Sequence, residues 1–494
     1  MTTPATELHW RSATELGAAL DAGELSSVEL TQAIIRRCDE VEPHIGALLQ
    51  RTDERGLQEA IAADERRARG EALTPWDGVP VAYKDIFVTR DVPTTAGSRI
   101  LEGWLPPYDA TVVERCSAAG MPLLGKTNLD QFAMGSSTEH SGFHPSRNPW
   151  DPARVPGGSS GGSAALVAAG GIPWAWGTDT GGSVRQPAAL CGIVGVKPTY
   201  GAVSRYGMVA FASSLDQAGP LTRTVEDAAA LLGTVAGHDP KDSTSVPDGA
   251  PNLLEGLDEG IAGKRIGVVK EFEGEGSQPG VRARVDEAYA RLESLGAVLE
   301  EVSLPSFDHA IPAYYLIAPA EASSNLARYE GVRYGPRREA PDIVAMNSET
   351  RAEFFGAEVK RRIMIGTYAL SAGYYDAYYG KAQKVRTLIV EDLKRAYEHV
   401  DLIVCPTSPT TAFKLGERTA DPLSMYLSDV YTVPVNLAGV PAISVPCGSS
   451  PDDGLPVGLQ IIAPVLGERS MFRAAYAFEQ DLGWTGSDEG RPNL

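Results

Sequence analysis

The segment from 156 to 200 carries PGGSSGGSAALVAAGGIPWAWGTDTGGSVRQPAALCGIVGVKPT, and it constrains this chain more than any other. Two Gly-Gly-Ser clusters sit 24 residues apart, counted from Ser159 to Ser183. Glycine loses the most chain entropy on folding, so such clusters mark backbone held in special conformations or brought close to a ligand. A flexible Gly/Ser linker would explain the composition but not the flanks. These are dense in Ala, Val, Ile and Trp, which must be buried. The segment therefore reads as the centre of a site built into a core.

The rest of the chain supplies that core. Its 494 residues are 43% hydrophobic, enough for a large buried interior in one α/β unit or several domains. The first 75 residues or so read as helical. Ser26 and Glu29 form a capping box before VELTQAIIRRCDEV, with Leu30, Ile34, Cys38 and Val41 near one face. From about 78, short apolar runs alternate with helical patterns. VPVAYKDIF, MPLLGKTNL, RIGVVK, VLEEVSL, DLIVCP, PAISVP and LPVGLQII read as strands. ATVVERCSAAG, GSAALVAAG, VEDAAALLGTVAG and VRARVDEAYARLESLGA read as intervening helices, and 313–400 as a helical insertion. Without a repeat or clear linker, one large α/β domain with a mixed sheet core covered by helices is expected over 1–494. Its Gly/Ser-rich catalytic core spans about 78–235, and its C-terminal part about 260–485.

Composition also excludes several functions. Five scattered cysteines form no CxxC pair, which argues against a structural zinc site or a disulfide framework and fits a reducing cytosol. MTTPATELHW has neither the basic nor the apolar region of a secretion signal, and no run approaches the roughly 20 apolar residues of a membrane span. A net charge of −20 makes the chain a poor holder of nucleic acid, whose binding rests on Lys and Arg neutralising phosphates.

Three familiar signatures mislead. Gly120–Thr127 satisfies the P-loop pattern, but a phosphate-cradling loop follows its strand, whereas MPLL reads as the strand itself. Gly157-x-Ser159-x-Gly161 satisfies the nucleophile-elbow pattern, which needs a downstream Asp and His. The later histidines, His238, His309 and His399, lie in polar contexts that suit the surface. The doubled glycines contain no GxGxxG. A serine nucleophile without histidine still needs a base, and Lys84 in GVPVAYKDIF is a candidate. Such a lysine either snorkels to solvent or is buried, and burial would favour a neutral amine that can accept a hydroxyl proton.

GVPVAYKD, PGGSSGGSAA and GTDTGGSVRQPAALCGIVGVKPTYG together resemble the amidase signature family, in order and spacing, over roughly residues 10–485. By that resemblance Ser183 is the nucleophile, Ser159 a relay serine at a cis peptide bond, and Lys84 the base. The N–H groups of Thr180, Gly181, Gly182 and Ser183 would form the oxyanion hole. Glycine suits that role, since several N–H groups can point at one oxygen only where no Cβ obstructs the turn.

Other segments, VSRYGMVAFASSLDQAGPLTRTVEDAA, EASSNLARYEGVRYG, EVKRRIMIGTYALSAGYYDAYYGKAQKVRTLI and DPLSMYLSDVYTVPVNLAGVPAISVPCG, are similar to the glutamine-hydrolysing subunits within that family. The stretch PDIVAMNSETRAEFFGAE matches them least closely. The likeness implies glutamine as substrate, bound by Arg362 on its carboxylate and Asp429 on its ammonium, with Tyr314 or its neighbour Tyr315 beside them. For Arg362 and Asp429 the alternative is a surface ion pair. It also implies a cytoplasmic heterotrimer with B and C subunits and no metal or cofactor in this chain. ATP and Mg2+ would be used in a partner, and the B subunit would bring in misacylated tRNA. The competing readings are a stand-alone hydrolase of small amides and a catalytically inactive scaffold. The first would leave Arg362 and Asp429 unpaired in an apolar pocket.

Overall fold

A computed structural model describes residues 8–247, 252–272, 276–484 and 490–494. Eleven strands build one mixed sheet: β1 (Leu48–Arg51), β2 (Val81–Lys84), β3 (Leu123–Thr127), β4 (Trp174–Asp179), β5 (Val194–Lys197), β6 (Gln217–Thr222), β7 (Arg265–Val269), β8 (Val298–Val302), β9 (Leu402–Pro406), β10 (Ala442–Ser449) and β11 (Pro456–Ile462). Their order across the sheet is β1-β3-β2-β4-β6-β5-β10-β11-β9-β7-β8. β2 runs parallel to both β3 and β4, and β7 parallel to β8 and β9, while the remaining pairs are antiparallel. Helices cover the sheet, and β2 to β6 are buried along their whole length.

The expected α/β architecture is present, and all seven strands read from apolar runs exist. Four were missed: β1, β4, β5 and β6. WAWGTD, VGVK and QAGPLT carry glycine, proline or charge that argues against strand. Proline is tolerated in β6 because β5 pairs only with Leu221 and Thr222, leaving Pro220 without a ladder partner on that side. The Ser26/Glu29 capping box forms at the start of the helix Ser27–Ile45, and Leu30, Ile34, Cys38 and Val41 are all buried on it.

The P-loop match dissolves in the structure. Gly125, Lys126 and Thr127 lie inside β3, and Lys126 is buried, 2.9 Å from Asp85 and 2.8 Å from Thr94 Oγ1. His238, His309 and His399 are all exposed. The five cysteines are buried and unpaired, and no helix among the described residues is long and apolar enough to cross a membrane.

Parallel strands β2 and β4 end side by side, with Tyr83 opposite Trp176. Ligands of α/β sheets gather at such carboxyl ends. Lys84 closes β2, Thr178 and Asp179 close β4, and the loops leading into the helices Gly161–Ala168 and Arg185–Cys191 carry the two glycine clusters to the same place.

Candidate active site

Lys84 is wholly buried, and its amine lies among hydroxyls: Ser159 Oγ at 2.8 Å, Ser160 Oγ at 2.9 Å and Thr178 Oγ1 at 2.8 Å. No carboxylate pairs with it among the described residues. Burial pulls its pKa from 10.5 to about 7, against the opposing pull of Asp130, Asp179 and Asp216. Hydrogen-bond accounting then orients the cluster. Ser160 donates to the Thr178 carbonyl and accepts from the Thr178 N–H, so toward Lys84 it can only accept. A neutral amine has two protons and one lone pair. Donating to Ser160 and Thr178 leaves the lone pair for the Ser159 hydroxyl, which is the geometry of a base receiving a proton. Ser160 and Thr178 were missed in the sequence; nothing in GGSSGG or GTD marks them as partners of a lysine.

The Gly158–Ser159 peptide bond is cis. Around it the chain is packed against side chains: a Cβ on Gly158 would lie 2.3 Å from Asp130 Oδ2. Asp130 is itself held by the N–H groups of Thr138 and His140.

Ser183 begins the turn into the helix Arg185–Cys191, and its Oγ has no hydrogen-bond partner among the described residues. Its backbone carbonyl accepts from Ser160 N at 3.2 Å, which ties the two glycine clusters together. Four N–H groups were expected to face one oxyanion. The structure changes that set, because the Gly182 N–H is donated to Asp179 Oδ1 at 2.9 Å. The N–H groups of Thr180, Gly181 and Ser183 have no acceptor among the described residues. Asp179 accepts from the N–H groups of Gly182, Val184 and Arg185 as part of a buried ion pair. Arg185 Nη2 lies 3.0 Å from its Oδ1, and burial's upward push on the Asp179 carboxyl is overcome by Arg185 and Asn436, leaving it at about 2. Gly182 has φ +139, and a Cβ there would fall 2.1 Å from Thr432 Oγ1. Thr432 in turn donates to the Gly181 carbonyl at 2.6 Å.

Tyr314, Arg362 and Asp429 converge on this loop from the C-terminal part. Tyr314 lies against Gly181, where a Cβ would sit 2.8 Å from its hydroxyl. Tyr315 lies one layer back, stacked on Tyr426 at 3.8 Å between ring centroids, so Tyr314 is the one beside the nucleophile. Arg362 is buried and is no surface ion pair. Its Nε donates to Glu358 Oε1 at 2.7 Å, and its guanidinium lies over the rings of Phe211, Tyr315 and Tyr426. Both terminal amino groups have no acceptor among the described residues, so the fork is open. Asp429 accepts from Ser136 through Oδ2, while its buried Oδ1 has no partner among the described residues. Burial pushes its carboxyl up to about 7, with Arg362 pulling the other way. Sequence reasoning missed Glu358, Phe211, Tyr426 and Ser136; the i,i+4 spacing of Glu358 and Arg362 on one helix is a signal for that pair, whereas Phe211 and Ser136 are brought in from far along the chain.

The arrangement can accept a hydroxyl proton, hold an oxyanion on three N–H groups, and bind a carboxylate on Arg362 and a cation on Asp429. No cluster of three or more metal-binding side chains occurs among the described residues.

The fold and this serine–lysine site define an amidase. The Amidase family model matches residues 29–472, and the chain belongs to that family. Within it, the chain is 59% identical over 484 residues to the A subunit of Glutamyl-tRNA(Gln) amidotransferase from Thermobifida fusca (strain YX), covering 97% of each chain. It is 60% identical over 489 residues to the protein of the same name from Carboxydothermus hydrogenoformans, covering 99% of this chain and 100% of that one. The crystal structure of the corresponding Glutamyl-tRNA(Gln) amidotransferase protein from Thermotoga maritima superposes with a TM-score of 0.81 at 44% identity, over 99% of this chain and 98% of that one.

Proposed function

We propose that this chain hydrolyses glutamine as the amidase-type component of a tRNA-dependent amidotransferase. The observation that carries the reading is the pair of unanswered buried charges beside Ser183: the open Arg362 fork and the partnerless Asp429 Oδ1. An α-amino acid fits both, its carboxylate bidentate on the fork and its ammonium on the carboxylate. A pocket for apolar amides would leave both charges buried and unanswered, which costs several kcal/mol. This argues against a stand-alone hydrolase of simple amides, as does the 59–60% identity to proteins named as amidotransferase subunits. The intact Lys84–Ser159–Ser183 set argues against an inactive scaffold.

Lys84 takes the proton of Ser159, Ser159 takes that of Ser183, and Ser183 Oγ forms a bond to the side-chain carbonyl carbon. The oxyanion rests on the N–H groups of Thr180, Gly181 and Ser183. Protons return along the relay to the amide nitrogen, the C–N bond breaks, and ammonia leaves. Water then cleaves the glutamyl ester, releasing glutamate and restoring Ser183. The ammonia passes to a B subunit, which activates the carboxylate of a misacylated tRNA with ATP and Mg2+, and a C subunit completes a cytoplasmic heterotrimer. The acidic charge of this chain suits that division, with the tRNA held elsewhere.

The test separates ammonia donation from tRNA chemistry. An assembled Ser183→Ala complex should fail with glutamine yet amidate misacylated tRNA when given an ammonium salt at mildly alkaline pH, where free ammonia is present. Failure of that rescue would place Ser183 in the tRNA step and overturn the donor reading.

A further inference from the structure

We propose that the outer face of the helix Ala357–Ala369, with the tyrosine-rich turn that follows it, is the surface on which the ammonia-accepting partner docks. This rests on the assembly described under the proposed function.

The helix has two unlike faces. Its inner face buries Val359, Arg362, Gly366 and Ala369 and packs backbone to backbone on the helix Ala310–Asn325. A Cβ on Gly366 would lie 1.9 Å from the Pro319 carbonyl. Its outer face presents Met364, 72% exposed, and Tyr368, 52% exposed, one turn apart. Tyr368 continues into a cluster of rings: its centroid lies 4.6 Å from that of Tyr374 and 6.0 Å from that of Tyr378, and all three are exposed. Elsewhere Ile61, Leu105 and Val298 are separate in the chain, and the pairs Ile343–Val344, Leu423–Leu427 and Val465–Leu466 carry no aromatic ring. Nothing among the described residues covers this cluster, and tyrosine and methionine are residues that interface centres favour.

Charge narrows the occupant. Beside the rings, Lys381 and Lys384 are exposed on the helix Lys381–Ala396 and make no ion pair among the described residues, in a chain whose net charge is −20. An apolar centre edged by two lysines to one carboxylate, that of the exposed Asp376 in the same turn, fits a polypeptide that brings an apolar patch edged by carboxylates. RNA fits less well. Tyr368 and Tyr374 pack on each other rather than splaying apart to receive bases, and two lysines do not make a phosphate track. The position also suits delivery of ammonia, since the helix that carries Arg362 inward carries Met364 and Tyr368 outward.

The experiment measures association of the full-length chain with co-purified B and C subunits by sedimentation velocity, and tRNA binding by the assembled complex. The variants are Met364→Glu, Tyr374→Ala and the double reversal Lys381→Glu with Lys384→Glu. Val298→Glu at the far sheet edge is the control, and thermal melting checks that each is folded. Each surface variant should weaken association at least tenfold while the control binds as wild type, and the lysine reversal should also flatten the salt dependence. Wild-type affinity in all three would overturn this surface and leave the assembly standing. Normal assembly with lost tRNA binding would make it an RNA site and overturn the proposal. A wild-type chain that associates with neither of them would overturn the assembly reading itself.

Discussion

The pH dependence of glutamine hydrolysis separates the proton relay from the substrate clamp. Lys84 is lowered from 10.5 to about 7 mainly by burial, so its neutral, proton-accepting form prevails above that pH and is lost below it. Asp429 is raised from 3.8 to about 7, again mainly by burial, so its charged, ammonium-binding form is likewise present above and lost below. Neither group is among the other's main charge partners, so their effects multiply. Going from about pH 8 to about pH 6 reduces the competent form of each from roughly 90% to roughly 10%, about a tenfold loss apiece. The free enzyme, reported by kcat/KM, needs both and should lose about a hundredfold. In the bound enzyme the substrate ammonium holds Asp429 ionised, so kcat carries Lys84 alone and should fall about tenfold. The difference appears as a KM that rises roughly tenfold on acidification. Initial rates of glutamate release by the assembled complex in closely spaced buffers give both slopes, with a return to neutral pH as the check for inactivation. A kcat that is flat across this range would refute Lys84 as the base. Parallel slopes of kcat and kcat/KM would refute Asp429 as the ammonium site.

The remaining outcomes concern single positions. Ser183→Ala, Ser159→Ala and Lys84→Ala should each abolish glutaminase activity, and the triple variant should be little worse than the worst single one, because the three act as a unit; additive losses would refute the relay. Arg362→Ala should lower kcat/KM for glutamine on the order of a hundredfold or more, chiefly through KM, and Arg362→Lys should recover little because the fork is lost; unchanged kinetics would remove Arg362 from the site. Gly182→Ala should lose at least about a hundredfold in kcat, since its φ is strained for any side chain and its Cβ meets Thr432; near-normal turnover would show that the loop can move aside. The isolated chain should show no salt-sensitive tRNA binding where the complex does; a steep negative salt slope for the chain alone would overturn the division of labour.

How far the sequence reveals this site depends on where each signal resides. Lys84, Ser159 and Ser183 sit in motifs whose composition is odd for their surroundings: a lysine inside an apolar strand and two serines inside glycine clusters. Steric demand explains why the glycines can be read at all. Gly157, Gly158, Gly161 and Gly162 each face atoms within 2.6 Å of where a Cβ would be, so the packing dictates their identity. The rest is set by tertiary contacts that leave no local pattern. Ser136 meets Asp429 across 293 residues, and Arg362 lies over Phe211 from far along the chain. The true acceptor of the Gly182 N–H escapes sequence reasoning for the same reason. That acceptor, Asp179, is three residues away, but its orientation is fixed by Arg185 and Asn436, the latter brought in from the C-terminal part. β4 is hidden because Gly177, which reads against a strand, is demanded by the site: a Cβ there would lie 2.8 Å from Ser160 Oγ.

The way charge is paired in this core separates the parts that hold from the parts that act. Asp179 with Arg185, Lys126 with Asp85, and Glu358 with the Arg362 Nε are buried pairs that answer one another. A buried charge left alone is costly, so pairing is what a purely structural core should do throughout. Lys197 and Arg223 break that rule by donating to backbone carbonyls alone, and three further groups break it around one serine. Lys84 has hydroxyls where an ion partner would be, Asp429 has one oxygen without a donor, and Arg362 has a fork without an acceptor among the described residues. Each deficiency has a different chemical meaning: a displaced proton equilibrium, a missing cation and a missing carboxylate. A single α-amino acid whose side-chain amide reaches Ser183 answers the last two and leaves the first free to drive the proton. A neutral amide would answer none of these deficiencies, and an inactive scaffold would gain stability by answering all of them within the chain.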